Sequence, residues 1–165
     1  MIAVLFATGF EEVEALASVD ILRRAGLAVD AIGVTGKNVT GAHGITIIAD
    51  KTAADSRVSD YRAVVLPGGL LGTQNLDSDP FTEELISHVL KTGGHIGAIC
   101  AAPTILGKRG LLRGKRAICY PGMEDALDGA IIVNAPAVTD GNITTGRNME
   151  AAVDFAKELA AVLAK

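Results

Sequence analysis

Short apolar runs recur along the chain, separated by longer amphipathic stretches. Ile2–Phe6, Ala63–Leu66 and His95–Ile99 show almost no alternation of polar with apolar positions, and Val29–Val34 is a similar run interrupted only by Asp30. Such runs predict strands buried on both faces. They end at turn signals: Thr8-Gly9 after the first and Pro67-Gly68-Gly69 after the third. Between them lie helical periods. Glu11 to Ala25 places Ala15, Val19 and Leu22 on one face, with Glu11, Ser18 and Arg23 elsewhere on the wheel. Acidic residues crowd its start and Arg23-Arg24 its end, which suits the helix dipole, and Gly26 stops it. Pro80–Lys91 reads as a helix with Pro80 in its first turn and Gly93-Gly94 beyond it. Ala101–Arg109 reads as another. The last helix runs from about Met149 to Leu163, with Ala152, Phe155, Leu159 and Val162 as its apolar stripe and Asn148 as its N-cap. Thr35–Gly44 is turn-rich, and Ile45–Ala49 reads as a strand of a small hairpin or an edge addition. Ala117–Tyr120 and Asn142–Thr145 read as short strands.

Alternating strands and helices of this kind predict a mostly parallel sheet with helices on both faces, an open doubly wound α/β fold. The 165 residues show no linker, repeat or low-complexity segment, so one domain over 1–165 is expected. Ligands of such folds bind beyond the carboxyl ends of the strands.

Composition narrows the function. Apolar residues make up 49% and charged residues 21%, which excludes a disordered chain. A net charge of −4 with 4% aromatics argues against nucleic-acid binding, which needs surplus cations or stacking platforms. The longest uncharged stretch, around Ile96–Gly107, falls well short of the ~20 residues of a membrane span. Two cysteines cannot build a disulfide framework, so reduced thiols in the cytoplasm are expected. Gly68-Gly69-Leu70-Leu71-Gly72 lacks dinucleotide-loop spacing, and the Gly110–Lys115 stretch is followed by Arg116 where a phosphate loop needs Ser or Thr. His43, His88 and His95 are scattered and neither cysteine has a neighbour at ligand spacing, so no metal and no cofactor are expected.

One constellation carries chemistry. Ala98-Ile99-Cys100-Ala101-Ala102-Pro103 puts a thiol where the chain turns from strand to helix, the cysteine analogue of a nucleophile elbow. A helix start there favours thiolate. Cys119, within a short apolar strand, reads as structural. Glu11-Glu12-x-Glu14 opens a helix after the first strand, on the same rim, so one carboxylate can face the thiol. Pro67-Gly68-Gly69, also on that rim, has backbone small enough to approach a substrate with its N–H groups.

These three motifs, with Asp20 through Gly26 and Gly72-x-Gln74-Asn75-Leu76, resemble the ThiJ/PfpI superfamily and, more narrowly, its DJ-one (protein deglycase) branch. The resemblance implies a flavodoxin-like three-layer sandwich and a homodimer. It implies that Cys100 is the reactive residue and that Glu14 is a protonated carboxyl hydrogen-bonded to it. It also implies that the backbone N–H groups of Gly69 and Ala101 form the anion site. The chain departs from the pattern at Tyr120, where many members have histidine. It departs again at Gly146-Arg147-Asn148-Met149-Glu150-Ala151, where many read Ser-Arg-Gly-Pro-Gly-Thr. His43 falls where the family often has a basic residue reaching toward the partner's site. Gly68, His43, Tyr120, Arg147 and Asn148 are therefore candidate pocket residues.

The implied activity is cofactor-independent cysteine chemistry on small reactive 2-oxoaldehydes, methylglyoxal to lactate, or removal of early glycation adducts. A second reading is a thiol redox sensor or stress-protective protein acting through oxidation of Cys100. A third, a cysteine peptidase or amidase, needs His43 or His95 within reach of Cys100. The expected partners are a small carbonyl substrate and a second copy of the chain, with neither nucleic acid nor membrane.

Overall fold

The computed structural model describes residues 1–164. In chain order the elements begin with β1 (Ile2–Phe6), α1 (Glu12–Arg24), β2 (Val29–Gly33), β3 (Asn38–Thr40), β4 (Thr46–Ile48) and β5 (Lys51–Thr52). There follow β6 (Ala63–Leu66), α2 (Leu70–Ser78), α3 (Pro80–Lys91), β7 (His95–Ile99) and α4 (Pro103–Lys108). The chain continues through β8 (Arg116–Ala117), β9 (Ile131–Ile132), β10 (Ala137–Asp140), β11 (Ile143–Gly146) and α5 (Ala152–Leu163). Seven strands form one sheet in the order β10-β11-β7-β6-β1-β2-β5, parallel throughout except for β10.

The apolar runs fail to alternate because both sheet faces are covered. Ile2, Val4 and Phe6 of β1 pack with Leu22 of α1 and with Phe155 and Leu159 of α5. Ala3, Leu5 and Ala7 point the other way, toward Leu76, Leu85 and Ile105 of α2, α3 and α4. Each fully buried large side chain contributes roughly 1.5–3 kcal/mol, so the two clusters supply most of the force holding the three layers. The result is a flavodoxin-like α/β sandwich with a mostly parallel sheet. From β1 the chain winds outward through β2 on one side and through β6 and β7 on the other. The switch point therefore lies at the carboxyl ends of β1 and β6, with the end of β7 beside them.

Of the two alternatives for Ile45–Ala49 the hairpin forms: the segment supplies β4, which pairs with β3 antiparallel and apart from the main sheet. Several other local expectations change. Beyond Ala117, Ile118–Tyr120 leaves strand geometry, because Tyr120 N–H donates to the Cys100 carbonyl at 2.8 Å. The helix expected from Ala101 starts at Pro103. Helix α2 is not visible in the apolar pattern, since Gly72 and a polar run follow Leu70-Leu71. It forms because Gly72 lets the helix pack on Phe10, where a Cβ would lie 2.7 Å from the Phe10 Cα. Ser18 is buried rather than solvent-facing and donates to the Glu14 carbonyl at 2.8 Å. In α5 Leu163, not Val162, completes the buried stripe. A 3-10 turn, Met149–Ala151, precedes that helix, and Asn148 Oδ1 caps it by accepting from Ala151 N–H at 3.3 Å. No helix among the described residues is long and apolar enough to cross a membrane.

Candidate active site

Three loops meet at the switch point. The first follows β7. Cys100 adopts φ 65°, and it is the one non-glycine residue with positive φ among the described residues. Such a conformation costs of order 1–3 kcal/mol and persists only where neighbours hold it. Here Cys100 N–H donates to the Gly146 carbonyl at 3.0 Å and its own carbonyl accepts from Tyr120 N–H. The strained turn lifts the thiol off the strand end and leaves it half-buried.

The second loop follows β1 and enters α1. Glu11 caps the helix, its carboxylate accepting from Glu14 N–H at 2.8 Å. That places Glu14 one turn in, fully buried, on the face turned to the sheet end. Glu14 Oε2 accepts from Gly68 N–H at 2.9 Å. Oε1 is buried with no partner in hydrogen-bond geometry.

The third loop, Pro67-Gly68-Gly69, closes over both. A Cβ on Gly68 would lie 2.5 Å from Glu14 Oε2 and 2.6 Å from Cys100 Cβ. Gly69 has φ +87°, and a Cβ there would sit 2.3 Å from the Gly9 carbonyl oxygen. Glycine is thus required at both positions, once by proximity and once by backbone conformation. The N–H groups of Gly69 and Ala101 lie near enough to the Cys100 sulfur to favour its anion.

The electrostatics couple the two acids. Burial is the largest influence on Glu14 and pushes it up to about 7. The neighbouring Cys100 thiol pulls it back, the Glu11 charge pushes it further, and Gly68 N–H opposes. Cys100 is pushed up to about 12, first by burial and then by the charge of the neighbouring Glu14 carboxylate. The Ala101 and Gly69 N–H groups act the other way. Burial thus raises both groups, and the Glu14 charge raises Cys100 further. Between about 7 and about 12 the pair holds one proton, and that proton belongs to the pair rather than to either residue. When Glu14 carries the proton, the repulsion vanishes and the two N–H groups face a thiolate.

The remaining candidate residues separate. Tyr120 lines the Cys100 pocket, a depression of about 420 Å³ shared with Leu70, Ala101, Pro121, Gly122 and Met123. His43 does not line it. It is exposed on the β3–β4 hairpin, where its Nδ1 lies 2.8 Å from Glu12 Oε2 and its N–H donates to Oε1 at 2.6 Å. Arg147 belongs to an adjoining depression with Cys119, Glu124 and Asn134. Asn148 is a helix cap. Cys119 is fully buried, its thiol pushed up to about 12 by burial and then by the Glu124 charge.

His95 Nε2 bonds Thr144 Oγ1 at 2.8 Å at the amino end of β7, the length of the strand from Cys100. No histidine lines the Cys100 pocket among the described residues, so the geometric requirement of a Cys–His peptidase is not met there. A larger cavity of about 560 Å³, lined by Arg62, His88 and His95 among others, lies at the amino ends of the strands, away from this chemistry.

Sequence reasoning missed Leu70, Pro121, Gly122 and Met123 as lining residues. The Pro-Gly pair directly after Tyr120 is the signal that marks a turn there. It also missed that folding gathers Glu11, Glu12 and His43, whose ligand-type atoms lie within 4.8 Å of one another. Those groups are already bonded within the protein, Glu11 to Glu14 N–H and Glu12 to His43.

Comparison with known proteins identifies the family. Residues 1–162 match the model of the DJ-1/PfpI family. Protein dj-1beta of Drosophila melanogaster is 36% identical over 98% of this chain and 88% of its own. A protein named deglycase from Pyrococcus abyssi is 30% identical over 88% of this chain and 89% of its own. The solved structure of oxidized Toxoplasma gondii DJ-1 superposes with a TM-score of 0.93 at 29% identity, covering 98% of this chain and 89% of that one. The chain belongs to the DJ-1/PfpI family.

Proposed function

We propose that this DJ-1/PfpI family member is a cofactor-independent cysteine enzyme that converts small 2-oxoaldehydes to 2-hydroxy acids, in the manner of a glyoxalase or deglycase. The observation that carries the reading is a fully buried Glu14 carboxyl, held near 7, against the strained Cys100 thiol beneath two converging N–H groups. A carboxyl poised near neutrality both gives and takes a proton, which is what this reaction demands. The deglycase name of the Pyrococcus relative is in keeping with it.

With the shared proton on Glu14, the Cys100 thiolate attacks the aldehyde carbon of methylglyoxal. The carbonyl oxygen gains charge toward the Gly69 and Ala101 N–H groups and takes the Glu14 proton, giving a hemithioacetal. The Glu14 carboxylate then removes the hydrogen from that carbon, and the electron pair moves to form an enediol with the neighbouring carbonyl. Return of the proton to the second carbon, with the hydroxyl proton of the first carbon passing to the oxygen on the second, leaves a thioester. Water cleaves it, releasing lactate and the thiol. One water is consumed, and no external oxidant or reductant enters. Removal of a glycation adduct shares the first carbon–sulfur step.

The test is methylglyoxal consumption and lactate formation without glutathione, for wild type, Cys100→Ser and Glu14→Ala. Turnover in wild type, lost in both variants, is expected. A wild type that does not turn over, while peroxide selectively oxidises Cys100 in intact-mass spectra, transfers the reading to a redox sensor. That second reading draws on the oxidized Toxoplasma relative and on a neutral Glu14 able to donate to a sulfinate.

A further inference from the structure

The wall of the Cys100 depression is apolar and rigid, and the reaction above uses none of it. Besides the thiol and Ala101, the lining consists of Leu70, Tyr120, Pro121, Gly122 and Met123, with no charged side chain among the described residues. The rigidity follows from the sequence Tyr120-Pro121-Gly122-Met123. Met123 N–H donates to the Tyr120 carbonyl at 3.1 Å, and Gly122 has φ +92°. Proline second and a positive-φ glycine third is the type II turn pattern. Glu124 Oε2 ties the turn by accepting from Gly122 N–H at 2.7 Å. Its other end is tied to the nucleophile itself, through Tyr120 N–H and the Cys100 carbonyl at 2.8 Å. On the opposite side Leu70 follows Gly69 directly, one residue from an N–H that faces the sulfur.

Leu70 is 66% exposed and Tyr120 49% exposed, so both leave apolar surface in water. A single exposed leucine needs no explanation, but two such side chains facing one depression with a nucleophile at its floor do. The nearby Arg147 does not supply charge to this wall. It lines the adjoining depression, where its guanidinium bonds Asn134 Oδ1 at 3.5 Å.

We infer that Leu70, Tyr120 and the Pro121–Met123 turn form a subsite for the substituent on the ketone carbon of the 2-oxoaldehyde, selecting aryl and branched-alkyl groups over hydrogen or carboxylate. The inference rests on the reading of Cys100 as the nucleophile toward such compounds. An apolar substituent laid on this wall removes area from water on both partners. A carboxylate there sheds hydration and meets no cationic side chain among the described residues that line the wall. Tyr120 and Leu70 are then specificity residues that touch the substrate without joining the proton transfers.

The test compares kcat/KM for phenylglyoxal and methylglyoxal on wild type, Leu70→Ser and Tyr120→Ser. Both side chains are largely exposed, so the substitutions leave the fold intact. The change in the ratio, rather than the ratio itself, cancels the different intrinsic reactivities of the two compounds. A fall in the phenylglyoxal preference of about tenfold is expected in each variant, the size of discrimination a hydrophobic pocket makes. A ratio unchanged by both substitutions overturns the subsite. Alkylation of Cys100 by N-benzyl iodoacetamide and by iodoacetate, followed by intact mass with Cys100→Ser as the blank, gives a readout independent of turnover. If wild type consumes neither dicarbonyl, the 2-oxoaldehyde reading fails and the alkylation ratio decides the subsite. A benzyl preference lost in the variants supports it, and no preference overturns it.

Discussion

Replacing Glu14 by glutamine keeps the side chain's shape and removes its titration, and the structure fixes how stability must respond. In the unfolded chain a glutamate titrates near 4.5, whereas burial raises Glu14 to about 7 in the fold. Between those values the folded protein holds a proton that the unfolded chain has lost. Stability therefore falls as pH rises through that window and levels off above it. The shift from 4.5 to about 7 corresponds to about 3 kcal/mol at 1.36 kcal/mol per unit. Coupling to Cys100 does not change the sign, because the first proton to leave the pair leaves near 7 whichever atom it leaves. In Glu14→Gln that loss is absent, while the amide oxygen can still accept from Gly68 N–H.

The assay is urea denaturation of wild type and Glu14→Gln under reducing conditions across pH 4.5 to 8. The variant is expected to gain on wild type by about 3 kcal/mol over that range, and the same comparison in a Cys100→Ser background is expected to keep the sign. Stability curves that run parallel with pH would refute the reasoning, since they would mean that Glu14 ionises in the fold as easily as in the unfolded chain. Catalysis should move oppositely: a more stable variant at pH 8 that has lost methylglyoxal turnover is the signature of a site that trades stability for function.

Two further outcomes follow from the geometry. Gly68→Ala puts a methyl group 2.5 Å from Glu14 Oε2 and 2.6 Å from Cys100 Cβ. Turnover should drop on the order of a hundredfold, the usual penalty for displacing reacting groups by about 1 Å, and wild-type rates in this variant would show that the pair need not stay together. We also propose that a homodimer covers the apolar patch where α1 presents Val13 and Leu16 beside Ile45, which are 46%, 40% and 53% exposed. Sedimentation velocity should give a dimer that Leu16→Arg converts to monomer, and a wild type that sediments as monomer at micromolar concentration would end that proposal.

The periodicities alone were enough for the doubly wound architecture, α2 excepted. Non-alternating runs such as Ile2–Phe6 and Ala63–Leu66 can be satisfied only by a sheet covered on both faces. The helix between Glu11 and Gly26 is delimited by its own charges and stop signal. The place of the Cys100 thiol at the turn from strand to helix was also legible, because a cysteine at a strand end followed by Ala-Ala-Pro is a local signature. The glycines at 68 and 69 could be read as a close approach, though not what they approach.

Tertiary structure decided everything that depends on distance across the sequence. Glu14 and Gly68 are 54 positions apart, and only the winding of β1 and β6 to adjacent places puts the carboxyl under the Gly68 N–H. Which of three glutamates faces the thiol depends on the phase of α1, set by the Glu11 cap, and burial then does the rest by raising its proton affinity. Tyr120 was legible as a departure from a pattern, but its place beside Cys100 comes from a backbone hydrogen bond between loops. Arg147 and Asn148, adjacent in sequence to a strand that borders the site, turn instead to a neighbouring depression and a helix end. Local propensity fixes elements and their caps. The identity of a site's neighbours is settled by packing of remote segments, which no window of the sequence contains.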